Sequence, residues 1–365
     1  MKKILIITNH SYMLYRFRLE LIQELMKNHE VVLCMPFVGH EDDFQALGLK
    51  CIETDLERRS MNPVKELGLL FTYRKILKQE RPDMVITYSI KPNIYAGLAC
   101  AMAGIPYHCN VQGLGTAFQR KGLAAFGTML YKSALRKAGT VFFENEGNAQ
   151  EFLDRNIIPK ERITLLPGAG INLKAYAKKP YPDNEAVRFL YLGRIMKEKG
   201  IDELFSAMRR LHSELGNRVA LDIVGFFDDE YYKEQVDKLV ADGIAVFHGF
   251  QTEPRPYYEA ADCVVLASYH EGMSNVLLEA AATGRPVITS NIHGCKEAVD
   301  ADVTGLLCNV KDADSLYEQM LRMAQMPKAQ RQSMGNAGRA KMEREFEKSV
   351  VVQKTVDAIF KPARV

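Results

Sequence analysis

Short apolar runs rich in β-branched residues recur along the whole chain, each followed by a polar or glycine-bearing loop and then by a stretch of helical periodicity. In the first half they are Lys3–Thr8, Glu30–Met35, Cys51–Glu53, Asp83–Tyr88, Tyr107–Val111 and Thr140–Asn145. In the second half they are Val187–Leu192, Val219–Val224, Ile244–Phe247, Cys263–Ala267 and Pro286–Thr289. A short continuous apolar run suits a strand buried on both faces, and strand–helix alternation builds a parallel sheet with helices on both sides. The 365 residues suffice for two such domains. The expected fold class is therefore α/β, with two doubly wound Rossmann-like domains whose ligands lie at the carboxyl ends of the strands.

The rhythm breaks at Leu165-Leu-Pro-Gly-Ala-Gly-Ile-Asn-Leu-Lys174, where Gly168 and Gly170 permit a change of direction, and Lys178-Lys-Pro-Tyr-Pro182 continues as a linker. The expected organisation is a first domain over 1–167, a linker over 168–185, a second domain over 186–344 and a closing helical segment over 345–365. No apolar run approaches the roughly 20 residues that span a bilayer. Met1-Lys-Lys-Ile-Leu-Ile-Ile-Thr8 leads straight into helical periodicity, as a first strand does and a signal peptide does not, so a cytoplasmic location is expected. The seven cysteines show no C-x-x-C spacing and sit in apolar contexts. They read as buried reduced thiols, and no metal site is expected.

Two stretches carry chemistry. Ser268-Tyr-His-Glu-Gly-Met-Ser-Asn-Val-Leu-Leu-Glu-Ala280 follows a strand, with Glu271 in the loop and Glu279 inside the helix that Ser274 or Asn275 would cap. Gly272, Met273, Ser274, Asn275 and Val276 would present successive backbone N–H groups at the helix start, an arrangement that favours an anion or a polyhydroxyl ligand. The plain alternative makes Glu279 a surface helix residue and Glu271 a loop charge. The second stretch, Phe189-Leu-Tyr-Leu-Gly-Arg-Ile-Met-Lys-Glu-Lys-Gly-Ile201, ends its strand at Gly193 and sets Arg194 and Lys199 on one loop. Two cations so spaced can bracket a pyrophosphate and neutralise a leaving group.

The pair Arg194 and Lys199, followed by the pair Glu271 and Glu279, resembles the carboxyl-terminal half of family-4 retaining glycosyltransferases of the GT-B fold. Tyr15-Arg16-Phe17-Arg18, Gln112-Gly-Leu-Gly115, Asn145-Glu146, Gly170-Ile-Asn-Leu173 and Tyr269-His-Glu-Gly272 extend the likeness over most of the chain. This run of motifs is most similar to bacterial transferases of N-acetylgalactosamine or galactose to polyprenyl-diphosphate-linked sugars, which build capsule, O-antigen or protein-glycan precursors. The resemblance implies two domains facing a central cleft, with the last helix crossing back to the first domain. It also implies a UDP-sugar donor without a further cofactor, and transfer with retention. Arg194 and Lys199 would then replace the metal ion of other glycosyltransferases, Glu279 would bind ribose hydroxyls, and Glu271 with the amides of 272–276 would hold the donor sugar. His293-Gly-Cys-Lys-Glu297 resembles another turn of the family, usually written with two glycines, and Cys295 replaces the second. A GT-B epimerase or phosphorylase, and a nucleotide-sugar sensor without catalysis, share the architecture and differ in their products.

Phe250, after Gly249 at a strand end, could contact a uracil ring or belong to the core. In the first half the acceptor candidates lie at strand ends: Asn9, His10, Tyr15, Arg16, Ser89, Lys91, Gln112, Gly113 and Glu146. Each also has an ordinary loop or capping role open to it. In many relatives a histidine stands in the Gly113-Leu-Gly115 turn; here Gln112 takes that place, and His108, four residues earlier in the strand, points into the fold.

Charge is uneven. Residues 1–175 hold 23 Lys+Arg against 17 Asp+Glu, and within 58–137 the ratio is 13 to 3. In the helix expected over 118–138, Leu123, Phe126, Met129, Leu130 and Ala134 recur at helical spacing, with Lys and Arg at both ends. A basic amphipathic helix of this kind can lie on an anionic bilayer, or its stripe can pack on the sheet; the two are compatible if the stripe faces inward and the cations, with Arg58, Arg59, Lys65, Arg74, Lys75, Lys78 and Arg81, face lipid. Nucleic acid is the other use of such an excess, and neither an acidic second half nor an uninterrupted α/β pattern supports it. The expected partners are a UDP-sugar and a polyprenyl-diphosphate-linked sugar, met peripherally at the inner face of the cytoplasmic membrane.

Overall fold

The computed structural model describes residues 1–56, 63–114 and 121–361. Arg58, Arg59, Gly115 and residues 118–120, all singled out above, lie outside that range. The chain divides into two compact units, Met1–Ala169 together with Ser349–Val365, and Gly170–Lys348. Residues 170–185 thus belong to the second unit, where Arg285 Nη2 donates to the carbonyl of Pro180 at 2.7 Å and Tyr181 OH to that of Asp262 at 2.7 Å.

In chain order the first unit comprises β1 (Lys3–Ile7), α1 (Ser11–Met26), β2 (Glu30–Met35), α2 (Glu41–Ala46), β3 (Lys50–Glu53), α3 (Pro63–Glu80) and β4 (Met84–Tyr88). A π-helical turn (Pro92–Ala96) leads into α4 (Gly97–Ala103), and then follow β5 (Tyr107–Val111), α5 (Lys121–Leu135), β6 (Val141–Phe143), α6 (Glu146–Asp154) and β7 (Ile163–Leu165). The strands are parallel in the order β3-β2-β1-β4-β5-β6-β7. Alternation along β1 divides the core between the two faces. Ile4 and Ile6 pack with Leu14, Leu21 and Ile22 of α1 and with Val351 and Ile359 near the end of the chain, whereas Leu5 and Ile7 pack with Tyr73 of α3, Ala99 of α4 and Tyr131 of α5.

The second unit holds β8 (Val187–Leu192), α7 (Ile201–Leu215), β9 (Val219–Val224), α8 (Tyr231–Ala241), β10 (Ala245–Phe247), α9 (Arg255–Ala260), β11 (Cys263–Leu266), α10 (Asn275–Thr283), β12 (Val287–Ser290), β13 (Gly305–Cys308), α11 (Ala313–Gln325) and α12 (Lys328–Lys341). Its parallel strands run β10-β9-β8-β11-β12-β13. β7 and β13 extend the sheets beyond the strands expected from sequence. The last helix, α13 (Lys348–Phe360), contributes Val351, Val352 and Ile359 to the first unit's core. The two segments where the chain passes between units are paired: Ile171 N–H donates to Phe346 O at 2.7 Å, and Lys348 N–H to Ile171 O at 3.0 Å.

The helix over 121–135 departs from the reading that packs its whole apolar stripe on the sheet. Phe126 and Met129 are 55% and 56% exposed, while Ala124, Gly127, Tyr131, Ala134 and Leu135 face inward. Small residues decide the orientation, because α4 approaches closely: a Cβ on Gly97 would meet the carbonyl oxygen of Ala134 at 3.1 Å. There is no room in that contact for larger side chains.

Candidate active site

Both sheets reverse their strand order at one point, and there the loops of neighbouring strands diverge to leave room for a ligand. In the second unit the reversal lies between β8 and β11. The loop after β8 carries Arg194 and Lys199, and the loop after β11 carries Glu271. Sheet order therefore joins the two motifs: Lys199 Nζ donates to Glu271 Oε1 at 2.5 Å, with both side chains mostly shielded. Ser268 Oγ, fully buried, donates to the same oxygen at 2.8 Å.

Glycines allow this convergence. Gly200 has φ +70°, and a Cβ there would stand 2.1 Å from the carbonyl oxygen of Ala267. Gly294 has φ +88°, and its Cβ would fall 2.6 Å from Gly272 O and 2.7 Å from Glu271 O. The Gly294 carbonyl also accepts the amide of Ser274 at 2.8 Å. That amide is thus occupied within the protein, which corrects the expectation of an uninterrupted row of ligand-facing N–H groups over 272–276. Ser274 occupies the N-cap position of α10, yet its side chain makes no capping bond. Cys295 takes φ −116°, ordinary for any residue, so this turn needs glycine only at 294. Met273 is buried, Gly272, Asn275 and Val276 half-buried.

Glu279 is 3% exposed, which overturns its reading as a surface residue. Its Oε2 accepts the hydroxyl of the fully buried Tyr258 at 2.8 Å. Arg194, 43% exposed at its side chain, donates through Nη1 to Asp228 Oδ2 at 3.2 Å. The backbones of those two loops are joined as well: Ile195 N–H donates to Phe226 O at 2.9 Å and Asp228 N–H to Ile195 O at 3.1 Å. Tyr191 OH braces the loop from below by donating to the Arg194 carbonyl at 2.6 Å, and burial pushes this phenol well above its ordinary pKa, so it stays a donor. Gly193, at φ +156°, donates its N–H to Val224 O at 3.0 Å and comes so near Gly225 that a Cβ on the latter would clash with its carbonyl. Phe250 is 53% exposed, outside the core, edge-to-face with exposed Phe226 at 5.9 Å.

In the first unit the order reverses between β1 and β4. Ser89, just after β4, holds a left-handed φ of +75° and donates its hydroxyl to Asn9 Oδ1 at 2.7 Å, bridging the two loops. His10 is half-buried at the N-cap of α1, its ring edge-on to Tyr12 at 6.3 Å, and Arg16 Nη1 donates to Tyr12 OH at 3.1 Å. Tyr15 stacks on His40 at 4.2 Å, and Lys91 Nζ donates to Glu66 Oε1 at 2.6 Å. Gln112 and Gly113 follow β5, both half-buried, and Glu146 opens α6 exposed. His108 is buried, with Nδ1 accepting the amide of Thr140 at 3.1 Å, in keeping with its place in the strand. Arg18, buried, donates to Glu144 at 2.7 Å.

A family model described as glycosyl transferases group 1 matches residues 186–326, and one described as glycosyl transferase 4-like matches residues 3–145. The chain belongs to the glycosyltransferases. This glycosyltransferase is 27% identical over 360 residues to N,N'-diacetylbacillosaminyl-diphospho-undecaprenol alpha-1,3-N-acetylgalactosaminyltransferase of Campylobacter jejuni, covering 93% of this chain and 94% of the relative. It is 25% identical over 286 residues to the UDP-Gal:alpha-D-GlcNAc-diphosphoundecaprenol alpha-1,3-galactosyltransferase of Escherichia coli, covering 73% and 72%. Among solved structures, Anabaena HepE in complex with UDP and glucose aligns with a TM-score of 0.81 at 16% identity, over 98% of this chain and 99% of that one. The glycosyltransferase thus has the GT-B fold.

Sequence reading of this glycosyltransferase does not single out Ser268, Asp228 or Tyr258 as partners of its charged residues. Asp228 follows Gly225-Phe-Phe227, a strand-end turn, so a carboxylate there is the available signal. Tyr258 carries none, because only the packing of α9 on α10 brings it to Glu279.

Proposed function

We propose that this glycosyltransferase moves one sugar, N-acetylgalactosamine or galactose, from a UDP-sugar to a polyprenyl-diphosphate-linked saccharide, in the assembly of a surface polysaccharide or glycan. The acceptor class and the two candidate donors are those named for the Campylobacter and Escherichia relatives, and UDP is the nucleotide in the Anabaena structure. The observation that carries the reading is the Lys199–Glu271 pair at the strand-order reversal of the second unit. Among the described residues no helix is long and apolar enough to cross a membrane, so a lipid-linked acceptor would be met at the bilayer surface.

An ammonium has three N–H donors, and one of Lys199 is engaged by Glu271. The others are available to a diphosphate, and Arg194 supplies further donors while Asp228 holds one end of its guanidinium. Glu279, oriented by Tyr258, receives the ribose hydroxyls, and Glu271 with the loop backbone holds the donor sugar. As the anomeric C–O bond to phosphate breaks, the acceptor oxygen bonds to the same face of that carbon and its proton passes to the departing phosphate oxygen. The configuration is retained, and the charge that grows on the diphosphate is stabilised by Lys199 and Arg194. The test is incubation with UDP-, GDP- and ADP-sugars and polyprenyl-diphosphate-linked sugars, with and without EDTA, reading nucleotide release and product mass. UDP release with a gain of one sugar on the lipid is expected, undiminished by EDTA. Free epimerised sugar, sugar phosphate, or donor binding without UDP release would replace this reading.

A further inference from the structure

Tyr269 stands two residues before Glu271 and is 7% exposed. Both of its donors go to one segment of the neighbouring loop and helix. Its amide donates to the carbonyl of Glu198 at 2.9 Å, and its hydroxyl donates to the Glu203 carboxylate, 2.7 Å from Oε1 and 3.0 Å from Oε2. Glu198 directly precedes Lys199, and Glu203 lies in the first turn of α7, which opens after Gly200. Lys199 is therefore bracketed by the two acceptors that serve one tyrosine. With Ala267 against Gly200 and Glu271 against Lys199, the alternate residues 267, 269 and 271 each meet the segment that carries the lysine.

The anchor is a firm one. An acidic side chain in the first turn is favoured by the helix dipole, and α7 packs on β9 and α11, so the Glu203 carboxylate sits on a fixed element. A hydrogen bond to a charged group is of the stronger class. Burial, and then the carboxylate itself, push the Tyr269 phenol well above its ordinary pKa, so the hydroxyl remains a donor. Lys311 Nζ lies over the ring, 5.0 Å from its centroid. We propose that Tyr269 and Glu203 are positioning residues for the transfer reaction: they hold the loop of Glu271 where that carboxylate meets Lys199, and so fix the lysine beside the departing diphosphate. The inference rests on Lys199 as a partner of the diphosphate. A lysine has a flexible four-carbon stem, and a developing anion gains most from a donor that is already in place.

Tyr269→Phe removes the hydroxyl and keeps the ring beneath Lys311. It should lower kcat about tenfold and change the KM for donor less than about threefold. In Lys199→Ala the same substitution should slow transfer no further, because the pair it positions is gone, whereas a residue that only supports the fold would multiply its effect onto either background. Glu203→Ala should match Tyr269→Phe, and Glu203→Gln, which keeps an oxygen for the phenol, should lose far less. A second readout needs neither donor nor acceptor: acetylation of lysine amines by acetic anhydride, followed residue by residue by mass spectrometry. Lys199 should react several-fold faster in Tyr269→Phe than in the parent chain, while exposed Lys197 and buried Lys341, paired with Asp300 at 2.8 Å, keep their rates. Unchanged acetylation of Lys199, an equal rise at Lys341, or kinetic losses that multiply in Lys199→Ala would each overturn the proposal. Faster acetylation of Lys199 alone, in a chain that transfers no sugar to any acceptor, would support the positioning of the lysine and overturn the transfer reaction instead.

Discussion

Lys199 and Glu271, 72 residues apart, share a 2.5 Å ion pair because β8 and β11 are neighbours in the second sheet. Removing the lysine takes away the cation paired with a shielded carboxylate, which keeps the Ser268 hydroxyl, beside the place proposed for the diphosphate. Lys199→Ala should therefore slow transfer by hundreds-fold, the scale of losing one charged donor to a developing anion. It should weaken UDP binding too, since the charge of Glu271, no longer balanced by Lys199, repels the nucleotide's phosphates. Adding Glu271→Gln should recover part of the UDP affinity without recovering turnover. Calorimetric titration of UDP beside steady-state kinetics separates the two effects, and near-normal turnover in Lys199→Ala would remove it from the mechanism.

Asp228 contacts Arg194 at 3.2 Å and is expected to act through it rather than on the donor. Arg194 is 43% exposed, so the pair contributes at most about 1 kcal/mol to folding. Asp228→Asn should leave the melting temperature nearly unchanged and raise the KM for donor several-fold, by freeing a guanidinium that must then be ordered on binding. Arg194→Ala should lower kcat far more. Equal effects of the two substitutions on kcat would give Asp228 a direct part in the reaction.

Which of these relationships sequence can carry depends on how far apart the partners lie. Arg194, Lys199, Glu271 and Glu279 are legible because each follows a strand at a fixed short offset, and parallel α/β sheets gather such loops on one edge. Asp228 and Tyr258 meet their partners 34 and 21 residues away through sheet order and helix packing, which local periodicity does not encode. β13 escapes a sequence reading because Gly305-Leu-Leu-Cys308 is only four residues and holds no β-branched residue. The orientation of α5 escapes it because apolar periodicity follows hydropathy, whereas close approach of α4 selects for size, sending Ala124, Gly127 and Ala134 inward and Phe126 out.

Gly200 and Gly243 provide a matched comparison, since both have φ +70°. A Cβ on Gly243 meets nothing within 4 Å, while one on Gly200 would lie 2.1 Å from the carbonyl oxygen of Ala267, a backbone atom that cannot step aside. Gly243→Ala should cost about 1–2 kcal/mol, the ordinary penalty of left-handed backbone. Gly200→Ala should cost clearly more, by about 3 kcal/mol or above, and should separate the loops that bear Lys199 and Glu271. Urea unfolding measures the first effect and UDP affinity the second. Similar stability losses at the two positions would show that the loops are free to shift.

His108 gives the first unit a pH dependence of known sign. Burial, with a smaller contribution from the charge of Lys2, holds its imidazole down to about 4 from the ordinary 6.5. The neutral ring is also the one the fold requires, because Nδ1 accepts the Thr140 amide at 3.1 Å and a protonated nitrogen would lose that bond. As pH falls below 6.5 the unfolded chain takes up a proton that the folded chain refuses. The stability associated with His108 is thus fully present above pH 6.5, declines from there to pH 4, and is absent below. The span corresponds to roughly 3 kcal/mol. His108→Asn, whose Oδ1 stands where Nδ1 does and can accept the same amide, should be less stable than the parent chain at pH 7.5 yet lose less between pH 7.5 and 4.5. The measurement is the urea midpoint at those two pH values; an unchanged difference in the variant would assign the acid sensitivity to other groups.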